Sequence, residues 1–160
     1  MEGGMESSAL AAFWMDFNRL YNENGQLYHR MARACGMSDC AFWLLYTLRA
    51  EEAPMTQTQL SELLSLPRQT VNSALKNLVR AGYLRLEATD GNLKNKWVCL
   101  TEAGDELLRR TVDLVFGVED AAASHLTAEE RATLLALGQK LLDACRAETE
   151  NFLQTTSIGD

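Results

Sequence analysis

The sequence lacks the long hydrophobic runs of membrane proteins and the leading signal of secreted ones. No apolar run reaches the length of about 18 residues that marks a membrane-spanning helix, and the start MEGGMESSAL has no basic stretch followed by an apolar core. We therefore expect a cytoplasmic protein without a membrane partner.

Motifs for catalysis, metal binding and disulfide formation are also missing. The two histidines, His29 and His125, stand apart from any patterned acid or serine, and no GxSxG, HExxH, P-loop or paired-carboxylate motif occurs. We therefore expect neither an enzyme nor a protein that needs a metal or another cofactor. No CxxC spacing occurs among the four cysteines, and we expect all four to stay reduced. They are Cys35, Cys40, Cys99 and Cys145.

Apolar residues recur at helical spacing through the first part of the chain. From Leu10 to Met31 they recur at steps of three and four, which predicts a long amphipathic helix. Ser38 is placed to cap a second helix from Asp39 to about Ala50, which is apolar nearly all round and therefore buried. Thr56 and Gln59 form a capping box that opens a third helix, which ends at about Leu64.

The rest of the chain predicts one more short helix, a β-hairpin and two C-terminal helices. Pro67 suits the first turn of the fourth helix, whose apolar stripe stops before Gly82. Two β-prone runs then flank a polar loop that contains Asp90-Gly91, and capping residues open both later helices. The expected strands are Tyr83 to Glu87 and Lys96 to Leu100, and the expected helices are Thr101 to about Ala123 and Thr127 to about Phe152.

Charge is distributed unevenly along the chain. The net charge of -7 by itself disfavours a nucleic-acid partner. Residues 66–100, however, carry six basic and two acidic side chains, a net charge of +4, which leaves -11 for the remainder. No acid occurs from Leu63 to Leu86. A local basic segment in an acidic protein is typical of a site-specific DNA binder.

The third and fourth helices and the hairpin have the pattern of a winged helix-turn-helix. The two helices are separated by the three residues Leu64-Ser65-Leu66. In this motif the second helix enters the major groove, where Arg and Lys pair with guanine, and Gln and Asn pair with adenine. The outer face of the fourth helix has such side chains and no carboxylate: Arg68, Gln69, Thr70, Asn72, Ser73, Lys76, Asn77 and Arg80.

The segment QLSELLSLPRQTVNSALKNLVRAGYLRLE, followed after a polar tip by NKWVCLTEAGDELL, resembles the DNA-binding core of the MarR family of transcriptional regulators. The order of the flanking helices is similar to that family as well. The resemblance implies a homodimer in which each subunit places a recognition helix in the major groove of double-stranded DNA and a wing in the minor groove. It implies groove-facing positions at Arg68, Gln69, Thr70, Asn72, Ser73 and Lys76, and wing positions at Asn92, Lys94, Asn95 and Lys96.

The wing departs from the family pattern at one point. Many members carry Asp-x-Arg there, whereas this chain has Asn92-Leu93-Lys94. Lysine supplies a point charge without the planar fork of arginine, so we expect weaker anchoring of the wing and less sensitivity to groove width. The recognition helix should then carry a larger share of the affinity.

The apolar faces of the first helix and the last two helices exceed what one small winged domain needs, which favours a two-fold dimer interface. The expected fold class is mainly α with a small β-hairpin wing, in the order α-α-α-α-β-β-α-α. We expect a single domain over residues 1–160, with dimerisation helices at 7–34 and 102–153 around a winged helix-turn-helix at 38–101. Two recognition helices about 34 Å apart predict a pseudo-palindromic operator.

The resemblance also implies repression, and release by a small aromatic or lipophilic effector held between the dimerisation helices and the winged region. The aromatic candidates for that pocket, each of which also fits the core, are Trp14, Phe17, Tyr21, Phe42, Trp43 and Phe116. Two alternatives stay open. One is a regulator that senses oxidation through Cys35 and Cys40, and the other is a winged-helix module that binds a protein instead of DNA.

Overall fold

The computed structural model of the chain describes residues 2–51, 53–89 and 92–156, and the side chains of residues 8–51, 53–88 and 96–156. These residues form mostly helices and a small antiparallel sheet, which confirms the expected fold class. None of the described helices is long and apolar enough to cross a membrane. The elements are α1 (Glu2–Ala34), α2 (Asp39–Ala50), β1 (Met55–Thr56), α3 (Gln57–Leu63), α4 (Arg68–Arg80), β2 (Leu84–Thr89), β3 (Asn92–Leu100), α5 (Glu102–Arg109), α6 (Val112–Ala123) and α7 (Ala128–Thr155).

The caps of four helices are the residues that the sequence predicts, namely Ser38, Thr56, Thr101 and Thr127. Each side-chain oxygen accepts a hydrogen bond from the backbone N–H three residues later. In α3 and α7 the residue at that position also bonds back to the N–H of the cap, which completes a capping box. These bonds satisfy N–H groups that have no partner inside the helix.

Two details differ from the expected order of elements. The sheet has a third strand, β1, which pairs with β3 through Met55 and Thr56 and is too short to show an alternating pattern. The helix expected from Thr101 to Ala123 is two helices, because the chain turns at residues 110 and 111. There the Thr111 hydroxyl donates to the Leu107 carbonyl at 2.6 Å, and such a bond competes with the helical ladder.

The chain divides into two compact units, Met1–Val115 and Phe116–Asp160. In the first unit the strands lie in the order β1-β3-β2, and the sheet and helices enclose an apolar core. In the second unit α7, which is described over its whole length, has no buried residue. The expectation of a single domain with three regions stays a prediction. Fully buried residues of the core include Phe42, Leu44, Leu45, Leu60, Val71, Leu75, Leu84, Val98 and Leu108.

Gly104 lies in the first turn of α5, where the backbone leaves no room for a side chain. A Cβ at this position would overlap the carbonyl oxygen of Tyr83 and lie 3.2 Å from Cδ2 of Leu100. Because a backbone atom cannot rotate away, we expect Gly104→Ala to lower the free energy of unfolding by about 3 kcal/mol, measured by urea unfolding. Gly138→Ala is the matched control.

Nothing lies within 4 Å of a Cβ built on Gly138, which is also helical. We expect this control to leave the free energy of unfolding unchanged or to raise it by up to about 1 kcal/mol, because alanine favours helix. Equal stabilities of the two variants would contradict the close approach at Gly104.

Candidate nucleic-acid interface

The turn between α3 and α4 is closed by two reciprocal hydrogen bonds. Ser65 has a φ of 51°, a left-handed conformation that few residues with side chains adopt. The N–H of Leu66 donates to the Ser61 carbonyl at 3.2 Å, and the Ser61 hydroxyl donates to the Leu66 carbonyl at 2.8 Å. Because Ser61 is buried, this pair fixes the direction in which α4 leaves α3.

The two faces of α4 differ in burial and polarity. Val71, Leu75 and Leu78 are buried, and α4 packs against α2, α3 and β2. At helical periodicity this apolar stripe directs the polar side chains to the opposite side of the helix. All six residues predicted to face the major groove are exposed there: Arg68, Gln69, Thr70, Asn72, Ser73 and Lys76. Asn77 and Arg80 extend the same exposed surface toward the end of the helix.

The cations on the exposed face of α4 lack acidic partners. Arg68, Lys76 and Arg80 form no ion pair with any residue whose side chain the structure describes. By contrast, Arg49 in α2 bonds to two aspartates, and Arg85 in β2 bonds to a neighbouring glutamate. The positive charge of α4 is therefore available to an external anion.

One predicted contact residue already uses its donor within α4. The Ser73 hydroxyl donates to the Gln69 carbonyl at 2.9 Å. In this rotamer the hydroxyl offers only its lone pairs to a ligand, because its hydrogen is engaged. Ser73 must rotate before it can donate to a phosphate oxygen.

The wing is described in part. Lys96 is exposed on β3, opposite Ala88 of β2, whereas the side chains of Asn92, Lys94 and Asn95 lie outside the described residues. Arg85, one of the six cations of the basic segment, is engaged within the hairpin. Its Nε donates to Glu87 at 2.6 Å and its Nη1 donates to the Leu100 carbonyl at 2.7 Å.

The pairing at Arg85 changes the titration of both partners. The hydrogen bond to Glu87, with the attraction between the charges, raises the pKa of Arg85 and lowers the pKa of Glu87. Arg85 and Glu87 are two positions apart on one strand, with Leu86 between them, so their side chains lie on the same face. This spacing is visible in the sequence and indicates that Arg85 is paired. Among the described side chains of the basic segment, the unpaired cations therefore lie mainly on α4.

The two cysteines near the bend between α1 and α2 are partly buried. Burial raises the pKa of the thiols of Cys35 and Cys40, which lowers their thiolate fraction at neutral pH. Since the thiolate is the form that reacts with oxidants, this environment favours a structural role for both cysteines. Cys40 Sγ lies 3.9 Å from the Thr70 carbonyl, so the start of α2 contacts the first turn of α4.

Four of the six aromatic candidates for an effector pocket lie in unlike surroundings. Phe42 is fully buried in the core. Trp14 and Phe17 lie on an exposed part of α1, with their ring centroids 5.8 Å apart in an edge-to-face arrangement. Phe116 belongs to the second unit.

The remaining two candidates, Tyr21 and Trp43, line one cavity. This cavity, here called the turn groove, has a volume of about 510 Å³ and is bounded by α1, α2 and the turn between α3 and α4. Gly25 lies in its wall, and a Cβ built there would meet no atom within 4 Å. The full lining is Tyr21, Asn24, Gly25, Tyr28, Trp43, Leu63, Leu64 and Leu66.

Comparison with known proteins confirms the resemblance that the sequence carries. Residues 36–92 match the model of the MarR family. The fold is similar to a MarR family regulator from Neisseria meningitidis, with 20% identity, a TM-score of 0.74, and coverage of 85% of this chain and 95% of that one. MepR of S. aureus in its DNA-binding conformation has 21% identity, a TM-score of 0.71, and coverage of 83% and 98%. The S. aureus MepR–DNA complex has 22% identity, a TM-score of 0.64, and coverage of 81% and 94%. No curated protein sequence matches the chain.

The buried hydroxyl at the turn gives a test of how α4 is positioned. We expect Ser61→Ala to lower the free energy of unfolding by about 1–2 kcal/mol, because the Leu66 carbonyl loses its donor in a buried setting. Ser73→Ala removes an equivalent hydroxyl-to-carbonyl bond from an exposed position and should change stability by less than about 0.5 kcal/mol. Thermal unfolding of both variants measures the difference, and equal costs would show that the bond at the turn has no special role.

Proposed function

We propose that this protein is a homodimeric transcriptional regulator of the MarR family that binds double-stranded DNA through α4, as supported by the family match over residues 36–92 and the similar fold. The observation that carries this proposal is the exposed face of α4. That face has eight polar side chains and no carboxylate, and its cations have no ion-pair partner among the described residues. A protein of similar fold, MepR of S. aureus, is known in complex with DNA.

The spacing of residues on α4 suits insertion into the major groove. A helix of 13 residues is about 20 Å long, and the groove is about 12 Å wide. Arg68, Asn72 and Lys76 are four residues apart and form one row along the helix, which we assign to base edges together with Gln69. The hydroxyls of Thr70 and Ser73 flank that row and reach phosphates or bases.

The wing adds contacts in the minor groove in this proposal. Lys96 is exposed on β3, and we assign the same role to Asn92, Lys94 and Asn95 from the family pattern. A lysine ammonium neutralises phosphate but lacks the planar fork with which arginine fills a narrow groove. The wing therefore contributes less to affinity than α4 does.

Exposed apolar surface supports association of two copies. Every described side chain of α1 up to Leu27 is exposed, and α7 buries none of its residues. Soluble monomers rarely leave such contiguous apolar faces in water. We propose that a second copy covers them about a two-fold axis, which would present two α4 helices to a pseudo-palindromic operator. The exposed apolar residues include Leu10, Phe13, Trp14, Phe17, Leu134, Leu137, Leu142 and Phe152.

The regulator acts in the cytoplasm in this proposal, and it represses transcription because a bound dimer occupies promoter DNA. The rival is a winged-helix module that binds another protein. The carboxylate-free face of α4 favours the DNA-binding function, because a protein-binding surface has no general need to exclude acids.

Charge reversal on α4 tests DNA binding directly. We expect Arg68→Glu with Lys76→Glu to weaken operator binding at least about 100-fold, because four phosphate or base contacts per dimer become repulsive. For the unaltered protein, with about four cations per subunit on phosphates, log K should fall against log salt with a slope near -7. Fluorescence anisotropy with labelled duplexes measures both quantities.

Lys140→Glu is the control for charge reversal, because Lys140 is an exposed cation of α7 and lies away from the recognition helix in the chain. Its binding should match the unaltered protein, with dimer content checked by size-exclusion chromatography. A salt slope near zero for the unaltered protein would overturn the proposal. If the variant with Arg68→Glu and Lys76→Glu lost DNA binding but regulation in cells were unchanged, the result would support the protein-binding module.

We further propose that a small aromatic or lipophilic effector binds in the turn groove and releases the DNA. A volume of about 510 Å³ lies in the range of small-molecule pockets, which are mostly lined by apolar and aromatic side chains. Leu64 and Leu66 belong both to this lining and to the turn that orients α4. An occupant therefore contacts the residues that set the direction of the recognition helix.

Filling the turn groove tests the effector site. Because a Cβ on Gly25 meets no atom within 4 Å, Gly25→Leu should fold normally and place its side chain in the groove. We expect it to weaken binding of the fluorescent aromatic probe anilinonaphthalene sulfonate at least about tenfold, measured by fluorescence titration. Asn18→Leu adds the same side chain at an exposed position of α1 that does not line the groove. Equal probe affinity in both variants would place the probe elsewhere.

A further inference from the structure

Arg49, in the last turn of α2, joins that helix to two others by three hydrogen bonds. Its Nε and Nη2 donate to the two carboxylate oxygens of Asp113 at 2.8 and 2.5 Å, and its Nη1 donates to Asp105 at 2.9 Å. The guanidinium therefore meets Asp113 side-on, in the bidentate geometry that fixes orientation as well as distance. The hydrogen bond to Asp113 is the main reason that the pKa of Arg49 is raised.

The two aspartates lie on either side of the break at residues 110 and 111. Asp105 belongs to α5 and Asp113 to the first turn of α6. At this break the Thr111 N–H bonds to the Leu108 carbonyl, three residues back, and the regular four-residue ladder is interrupted. An interrupted ladder leaves the angle between two helices to be set by side chains. Arg49 holds both helices from one guanidinium.

The face of α2 that lies opposite Arg49 supports the recognition helix, α4. α2 packs against α4, and the start of α2 reaches the first turn of α4 at the contact between Cys40 and Thr70. A continuous set of contacts therefore runs from α4 through α2 to Arg49 and on to the first turn of α6. All of these residues belong to the first unit.

We propose that Arg49 is a positioning residue that sets the separation of the two recognition helices in the dimer by fixing the first turn of α6 against α2. This inference rests on the proposed function, since it needs a dimer on a two-part operator. The side chains of Arg49, Asp105 and Asp113 are each about 30% exposed. Because a bidentate pair within a network of charges can contribute to stability, the folding of each variant is measured alongside its DNA binding.

The test varies the spacing between half-sites. Half-sites are selected from random DNA by the unaltered protein, and duplexes are then made with the selected spacing and with one base pair more or fewer. We expect the unaltered protein to lose at least about tenfold in affinity at each altered spacing, because one base pair shifts a half-site by about 3.4 Å and rotates it by about one tenth of a turn. Arg49→Gln should lower that penalty to less than about threefold, with an unchanged salt slope.

Arg109→Gln is the matched control, because Arg109 also pairs with Asp105, and with Glu106, and both of these partners lie in its own helix, α5. It should keep the full spacing penalty. Arg49→Lys keeps the charge and loses the bidentate fork, so its penalty should also fall. Asp113→Asn tests the contact from the other side, and thermal unfolding confirms that each variant is folded.

Three outcomes would count against the inference. A spacing penalty in Arg49→Gln and Asp113→Asn equal to that of the unaltered protein would overturn it and leave the proposed function standing. A salt slope reduced by about two in Arg49→Gln would instead make Arg49 a phosphate contact in each subunit. No DNA binding by the unaltered protein would overturn the proposed function itself.

Discussion

Burial of one face of α4 is the constraint on which the candidate interface depends. The side chains of Val71, Leu75 and Leu78 are buried where α4 packs against α2, α3 and β2. Burial of each such side chain stabilises the fold by about 1.5–3 kcal/mol. A rotation of the helix that exposed these residues would bury arginine or asparagine without partners, at a further cost. The hydrophobic effect alone therefore presents the polar row to solvent. The helix backbone under this row is already in place when it meets a ligand, and only the side chains remain to be ordered on binding.

Ion pairing inside the protein complements this arrangement. Arg49 is bonded to two carboxylates, and Arg85 is bonded to a carboxylate and a backbone carbonyl. The exposed cations of α4, by contrast, form no ion pair with any described side chain. The net charge outside residues 66–100 is -11, so most of the surface repels a phosphate backbone. A single attractive face on a repulsive protein steers the approach of DNA toward α4 and weakens binding in any other orientation.

Features set by residues close in sequence could be predicted, and features set by tertiary placement could not. The caps at Ser38, Thr56, Thr101 and Thr127 are bonds across three residues, so the sequence alone identifies them. The break before α6 depends on a hydroxyl of Thr111 that turns to its own backbone, and threonine in a helix often does not do so. Likewise, nothing in composition separates Phe42, which is fully buried, from Tyr21, which is 72% exposed. The exposed row of α4 was predictable because helical periodicity fixes both faces at once.

The second unit raises a question of energetics that bears on regulation. α7 has 28 residues and buries none of them within the chain, although most helix stability in proteins comes from packing an apolar face. In the proposed dimer, that packing is supplied by association, so folding of α7 and dimerisation are one equilibrium that depends on protein concentration. DNA binding by two α4 helices requires the dimer, so it depends on the same equilibrium. A substitution on the apolar faces of α1 or α7 weakens DNA binding by lowering the amount of dimer, whereas a substitution on the polar row of α4 weakens it with the dimer intact.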